Sequence, residues 1–271
     1  MKATQKTIAI LGCGWLGLPL AEHLIHKGHP VKGSTTSPEK LEILRSRFIE
    51  PFLINLQAGE ITGDLDYFLS EVELLIIDFP PGIRRQPAQH YEDSIRELVR
   101  QIRSYAIKRI VFVSSISVYE DSDLMPVYTE EDIPNATSSR GIGLQKAEEL
   151  LISESGFATI ILRLGGLIGG DRHPVHQLSG RTGIANPEAP VNLIHRTDCI
   201  GIIEKLIQKE KFGEVYNAVH PEHPQKREYY QQKALEKGLP LIGFSSEASK
   251  GKLINPEKLI RELDYRFTEK I

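Results

Sequence analysis

The feature that most limits what this chain can become lies near its start. Ile8-Ala9-Ile10-Leu11 is an apolar run without polar alternation, and it opens straight into Gly12-Cys13-Gly14-Trp15-Leu16-Gly17. From Leu16 to Ile25 the apolar residues keep helical spacing, and the pattern stops at Gly28. A buried strand therefore turns at once into a helix through glycines spaced G-x-G-x-x-G. Gly12 permits the tight turn, Gly14 leaves the backbone bare for a close approach, and Gly17 lets the helix lie against the strand. Free N–H groups and the positive end of the helix dipole suit a pyrophosphate. The spacing alone is a weak signal; the strand before it and the helix after it are the context it requires. Gly12, Gly14, Trp15, Leu16 and Gly17 are thus expected to bind a dinucleotide. The plain alternative is a strand-to-helix turn that binds nothing.

The same alternation continues along the chain. Pro30 to Thr35, Phe52 to Leu56, Glu73 to Phe79, Arg109 to Ser115 and Thr159 to Leu164 read as strands. Between them lie helical stretches: Pro38 to Arg47 after Ser37, a segment from Ser94 with Ile95, Leu98, Val99 and Ile102 at helical spacing, and Gly143 to Ser155. Apolar strands each followed by a helix predict a parallel sheet covered on both faces. Right-handed crossovers make it a doubly wound, Rossmann-like α/β sheet. After about residue 170 the pattern changes. Asp171 to Pro190 reads as a loop, Cys199 to Gln208 as a helix capped by Asp198, Glu214 to Val219 as a strand and Arg227 to Glu236 as a helix. The expected organisation is a dinucleotide-binding domain over 1–170 and a smaller, C-terminal substrate-binding lobe over 171–271, interleaved with the sheet.

Composition narrows the partners. The 271 residues are 40% hydrophobic and 25% charged with a net charge of −3, which leaves no basic field to attract nucleic acid. No apolar run reaches the ~18 residues of a membrane span. The short polar start, Met1 to Lys6, is not read as a signal peptide. Cys13 and Cys199 match no zinc or redox spacing, and no His/Asp/Glu cluster has metal-ligand spacing. The expectation is a cytoplasmic protein with a small-molecule substrate and no metal, nucleic-acid or membrane partner.

The end of the second strand bears on which dinucleotide is bound. NAD sites place Asp or Glu there to bind the ribose 2′-hydroxyl. This strand ends Gly33-Ser34-Thr35-Thr36-Ser37, with no carboxylate to repel a 2′-phosphate, and with Lys32 before it and Lys40 after it. Ser34, Thr35 and Thr36 are expected at the cofactor, with NADP favoured and NAD left open. Those hydroxyls are equally suited to capping the next helix.

Later segments carry a more specific resemblance. Arg109 to Tyr119, with Ser114-Ser115-Ile116-Ser117-Val118-Tyr119, resembles the strand and SSxxVY segment of the extended short-chain dehydrogenase/reductases, relatives of nucleotide-sugar epimerases and dehydratases. Ile161 to Gly169, Val191 to Asp198 and Gly213 to Asn217 are similar to that family's later segments, in the right order. Gly14-Trp15-Leu16-Gly17-Leu18-Pro19-Leu20-Ala21 and Arg172-His173-Pro174 are similar to an atypical, YeeZ-like subgroup. The resemblance implies that Phe79, Pro80 and Ser114 also border the cofactor, that the substrate is a small molecule of the sugar-nucleotide class, and that a homodimer forms through the two long helices after strands four and five.

It also exposes a departure. The family's catalysis uses a Ser or Thr, a Tyr acting as phenolate, and a Lys four residues after the Tyr. Ser115 matches the first; with Lys146 as the last, Ile142 stands where the Tyr belongs, and a register shifted by one residue puts Gly141 there with Gln145 at the Lys, so neither register yields Tyr. Ile has no proton to give. Tyr119 and His173 are the leading substitutes, followed by Tyr128, His176 and His195, each of which packing alone also explains. Arg140, Arg172 and Arg181 are candidates for a substrate phosphate. Two functions remain: an epimerase-like or reductase-like enzyme working without the usual Tyr, or a non-catalytic NADP-binding sensor or regulator.

Overall fold

The computed structural model describes residues 6–57, 59–79 and 88–271. Its centre is a seven-stranded sheet: β1 (Ile8–Leu11), β2 (Val31–Thr35), β3 (Glu50–Leu53), β4 (Leu74–Ile77), β5 (Arg109–Ser115), β6 (Ala158–Leu164) and β7 (Val215–Ala218). Their spatial order is β7-β6-β5-β4-β1-β2-β3. The pairs β1–β2, β1–β4, β2–β3 and β4–β5 are parallel. The helices are α1 (Gly17–His26), α2 (Leu41–Ser46), α3 (Leu65–Leu69), α4 (Ala88–Ile102), α5 (Ser139–Ile152), α6 (Val175–Leu178), α7 (Arg196–Lys209), α8 (Lys226–Glu236) and α9 (Glu257–Leu263). This is the doubly wound α/β sheet expected from the unbroken apolar strands. Every residue of β1 and β4 is buried, because strands in the middle of a helix-covered sheet meet apolar side chains on both faces.

Contacts divide the chain into two units. The first holds the residues up to Ser115, Thr137–Leu162 and Ile203–Val215. The second holds Ile116–Ala136, Arg163–Ile202 and Tyr216–Ile271. Residues 116–136, within the sequence range expected for the dinucleotide domain, thus belong to the second unit.

In the first unit α4 and α5 lie close together. A Cβ on Gly143 would sit 3.5 Å from the Ala88 carbonyl oxygen and 3.6 Å from the Tyr91 ring. Ser138 caps α5 by accepting from the Gly141 N–H at 3.2 Å, so the helix starts well before Gly143. The third strand is also displaced from its expected position. It ends at Leu53, and the chain turns into an antiparallel pair, Asn55–Gln57 with Glu60–Thr62. A short apolar run shows strand character without showing its bounds.

The second unit is built from short pieces. Gly166–Ile168 pairs in parallel with Leu193–His195, and Val127–Tyr128 with Leu253–Ile254. Ile168, Val175, Leu193, Tyr229, Tyr230 and Ile242 are among the residues that form its core. Asp198, read above as a helix cap, lies inside α7 and is fully buried. Its carboxylate accepts from the Tyr265 hydroxyl at 2.9 Å, the Thr268 N–H at 2.9 Å, the Thr268 hydroxyl at 3.1 Å and the Glu269 N–H at 3.3 Å. It ties down the end of the chain, which sequence spacing does not reveal.

Candidate functional site

The strand order reverses between β1 and β4, so a crevice opens beyond their carboxyl ends. The glycine turn sits in that crevice, and its three glycines differ sharply. Gly12 has φ +111°, and a Cβ there would lie 2.3 Å from the Asp78 carbonyl oxygen. A Cβ on Gly17 would lie 2.1 Å from the Gly12 carbonyl oxygen. Both are held small by the protein's own backbone. A Cβ on Gly14 would meet nothing within 4 Å, its φ is ordinary, and it is exposed. Nothing in the chain itself requires glycine at 14.

A cavity of about 260 Å³ opens beside the turn, lined by Gly12, Cys13, Gly14, Ser34, Thr35, Thr36, Lys40, Asp78 and Phe79, with Leu11, Ile54 and Leu56 behind them. Gly12, Gly14, Ser34, Thr35, Thr36 and Phe79 are thus brought together, all within the first unit. Trp15, half-buried, and Leu16 and Gly17, both buried, continue the turn into α1. Pro80 lies outside the described residues.

The hydroxyls at the end of β2 divide their work. Ser34 Oγ accepts the Gly12 N–H at 2.9 Å, and its carbonyl accepts the Cys13 N–H at 2.7 Å. Thr35 Oγ1 accepts the Ser37 N–H at 3.2 Å. Ser34 and Thr35 therefore hold the backbone of the site, while Thr36 and Lys40 are exposed at its rim. Lys32 is withdrawn. Its ammonium donates to the Tyr67 and Ser70 carbonyls at 2.6 and 2.9 Å and so satisfies the end of α3. Cys13 is buried, and burial together with nearby Asp78 pushes its thiol up to about 12, so it is no nucleophile.

Asp78 escaped the sequence reading. Its place just beyond the LLII run, at the carboxyl end of a central strand, was the available signal. Tyr91 escaped too. It is buried, stacks on Phe79 at 5.7 Å and donates to the Phe79 carbonyl at 2.7 Å.

The expected catalytic residues fall in both units, Ser115 and Lys146 in the first and Tyr119 and His173 in the second. Ser115 is half-buried at the end of β5. Its neighbour Ser114 is buried and donates to the buried Glu148 carboxylate at 2.5 Å. Ile142 is 36% exposed on α5. Lys146 pairs with Glu149 at 2.8 Å, with both side chains about half exposed.

In the second unit Tyr119 is 1% exposed. Its hydroxyl donates to the Thr129 carbonyl at 2.7 Å and accepts from Arg163. Its ring stacks on Tyr128 at 4.6 Å and carries the Arg163 guanidinium at 5.0 Å. Arg163 and Tyr119 thus form a buried polar cluster with Glu130, whose carboxylate accepts the Asn217 N–H at 2.7 Å. His173 Nε2 lies 3.0 Å from the Tyr229 hydroxyl, and Nδ1 accepts the Val175 N–H at 3.2 Å. Burial first, and then Lys237 and Lys233, lower its pKa to about 4. His173 is therefore neutral at pH 7, with both nitrogens engaged. His195 packs under the Gly169 turn, where a Cβ would come within 2.7 Å of its Nε2. Tyr119 and His195 read as packing, and His173 as a fixed neutral imidazole.

A doubly wound sheet with a glycine turn at its switch point defines a Rossmann-like α/β protein. Solved structures agree in fold. A conserved protein of unknown function from Silicibacter pomeroyi superposes with a TM-score of 0.79 at 22% identity, over 98% of this chain and 94% of that one. A UDP-glucuronic acid 4-epimerase from Bacillus cereus, in complex with NAD, superposes with a TM-score of 0.80 at 17% identity, over 97% and 92%. No protein-family model matches. Protein YeeZ of Escherichia coli K12 is 35% identical over 267 residues, which cover 97% of this chain and 96% of that one. The chain belongs to the YeeZ family.

Proposed function

We propose that the protein binds NADP at the glycine turn and works as an atypical oxidoreductase or epimerase on a carbonyl or hydroxyl carbon of a small molecule of the sugar-nucleotide class. The observation that carries this is Gly14, a glycine that neither packing nor backbone conformation explains and that faces an open cavity. Bare backbone at that point is what a pyrophosphate needs. Thr36 and Lys40 at the rim, with no carboxylate in Gly33-Ser34-Thr35-Thr36-Ser37, support NADP over NAD. When bound, the dinucleotide supplies hydride chemistry. This chain's residues supply orientation: Ser114 and Glu148 brace the end of β5, and Ser115 there is the hydroxyl that would hydrogen-bond a substrate oxygen. The wider reading includes a cytoplasmic location and a homodimer through α4 and α5.

A second reading has its own support. With Ile at 142 and Lys146 spent on a surface pair with Glu149, the proton-transfer machinery is not assembled on α5. That favours a binding protein that senses NADP without turnover. Fluorescence titration with NADPH and NADH tests the cofactor. Lys40→Glu should weaken NADPH about 10-fold, some 1.4 kcal/mol, and leave NADH unchanged; equal loss for both sinks the NADP assignment. Tight NADPH binding without hydride exchange across a panel of sugar nucleotides would favour the sensor.

A further inference from the structure

Among the described residues that line the cavity at the glycine turn, Asp78 alone carries a carboxylate. Its place is fixed. Its N–H donates to the Leu11 carbonyl at 2.9 Å, and Gly12 stands hard against its own carbonyl oxygen, where a Cβ would come within 2.3 Å. The next residue, Phe79, is held through its carbonyl by the Tyr91 hydroxyl at 2.7 Å. The carboxylate lies against the start of α1: a Cβ on Gly17, the first residue of that helix, would stand 3.2 Å from Asp78 Oδ2. Leu16, at the cap position, has no polar side chain, and the first turn of α1 holds no acid. Asp78 therefore brings a negative charge to a helix start that favours one and has none of its own. Its field reaches the turn and the helix beyond: burial first, and then Asp78, push the Cys13 thiol and the Tyr91 hydroxyl up.

A pyrophosphate needs that same helix start. A carboxylate that accepts from a ribose hydroxyl in a dinucleotide site does so from the end of the second strand. Asp78 instead follows β4 and sits beside α1. Two anions that share one helix start repel, and at a half-buried side chain such as this one solvent screens the repulsion only in part. Opposition of this kind has a functional consequence. An epimerase takes a hydride from its substrate and returns it, so a dinucleotide that stays bound serves it. A reductase hands the hydride over and must release the spent dinucleotide before the next cycle. A sensor must release its dinucleotide to follow a change in concentration. Binding that is opposed from within suits the last two.

We infer that Asp78 opposes the dinucleotide's pyrophosphate at the start of α1 and so makes the dinucleotide an exchangeable co-substrate rather than a retained group. The inference rests on the proposed NADP site and deepens it, favouring a reductase or a sensor over an epimerase. The full chain, its Asp78→Asn variant and a Glu73→Gln control, which removes an exposed carboxylate just before β4, are titrated with NADPH by fluorescence, and release is timed by chasing bound NADPH with excess NADP. Asp78→Asn should bind NADPH about 10-fold more tightly, with most of the change in slower release. Glu73→Gln should match the parent. Gel filtration of the loaded proteins should strip NADPH from the parent and leave more of it on Asp78→Asn. Without ligand, Asp78→Asn should melt roughly 1–4 °C lower, because the helix start loses its negative neighbour. Should Asp78→Asn fail to fold, the smaller Asp78→Ser supplies the same comparison. Unchanged affinity in the Asp78 variant, or weaker binding of the kind a ribose-binding carboxylate would leave behind, overturns the inference while the NADP site stands. NADPH binding by the Asp78 variant and not by the parent supports it. No NADPH binding by any of the proteins refutes the cofactor reading, and this inference with it.

Discussion

Alanine at each glycine of the turn should separate fold from function. At Gly14 the added methyl meets nothing within 4 Å, and no positive φ is required. Gly→Ala where the backbone tolerates it stabilises by about 0.4–1 kcal/mol, through the unfolded chain. For a chain of this size that is a rise in Tm of roughly 1–4 °C without ligand. At Gly17 the methyl would stand 2.1 Å from a backbone oxygen of the same turn, an overlap relieved only by moving β1 or α1. Overpacking of this kind costs about 1–3 kcal/mol and sometimes more. With NADPH at 100 times its Kd the parent chain gains about 2.7 kcal/mol by mass action, or roughly 5–11 °C. The Gly14→Ala methyl occupies the pyrophosphate's approach, so that gain should vanish while the ligand-free Tm stays or rises. Gly17→Ala should melt early with or without ligand. Thermal unfolding of the three proteins, each with and without NADPH, reads all of this. A Gly14→Ala protein that keeps its NADPH shift, or that is destabilised as much as Gly17→Ala, refutes the reasoning.

Two further outcomes follow from the second unit. Asp198→Ala removes the buried carboxylate that accepts from the Tyr265 hydroxyl and from the Thr268 and Glu269 N–H groups; hydrogen bonds to a charged group contribute about 1.5–3 kcal/mol each, so urea unfolding should show a loss of several kcal/mol, and a loss below about 1 kcal/mol contradicts the anchoring role. His173 has its pKa lowered from 6.5 to about 4, so between those values the unfolded chain binds the extra proton and the folded one resists it. Its contribution is complete above pH 6.5 and is lost as pH falls toward 4. Burial lowers His220 and His223 in the same direction, so the test is a difference: Tm should fall less steeply from pH 7 to pH 5 in His173→Gln than in the parent, and parallel slopes count against it.

Much of the first unit was legible in the residues, for physical reasons. A strand buried on both faces must be apolar throughout, so β1 and β4 announce themselves as IAIL and LLII. A helix can lie against a strand only over a small residue, so Gly17 is visible as well. The site was less legible. Ser34 and Thr36 look alike in sequence, yet one hydroxyl is engaged by the Gly12 N–H and the other is exposed at the rim. Glu148 and Glu149 are adjacent on α5, yet helical geometry turns one into the core toward Ser114 and leaves the other in water with Lys146. Tyr119 fits a proton donor by type and position, and only its 1% exposure and its saturated hydroxyl remove it.

The glycine turn and the parallel sheet were determined by sequence alone, because each depends on a local rule: a backbone conformation, a burial period. The tertiary structure decided what depends on partners distant in the chain. It withdrew Lys32 onto the end of α3, buried Asp198 beneath the C-terminal segment, and gathered Lys226, Lys250 and Lys252 around one cavity. Charge and hydrogen-bonding capacity are properties of a residue, but whether they are spent is a property of its neighbours, and folding alone chooses those.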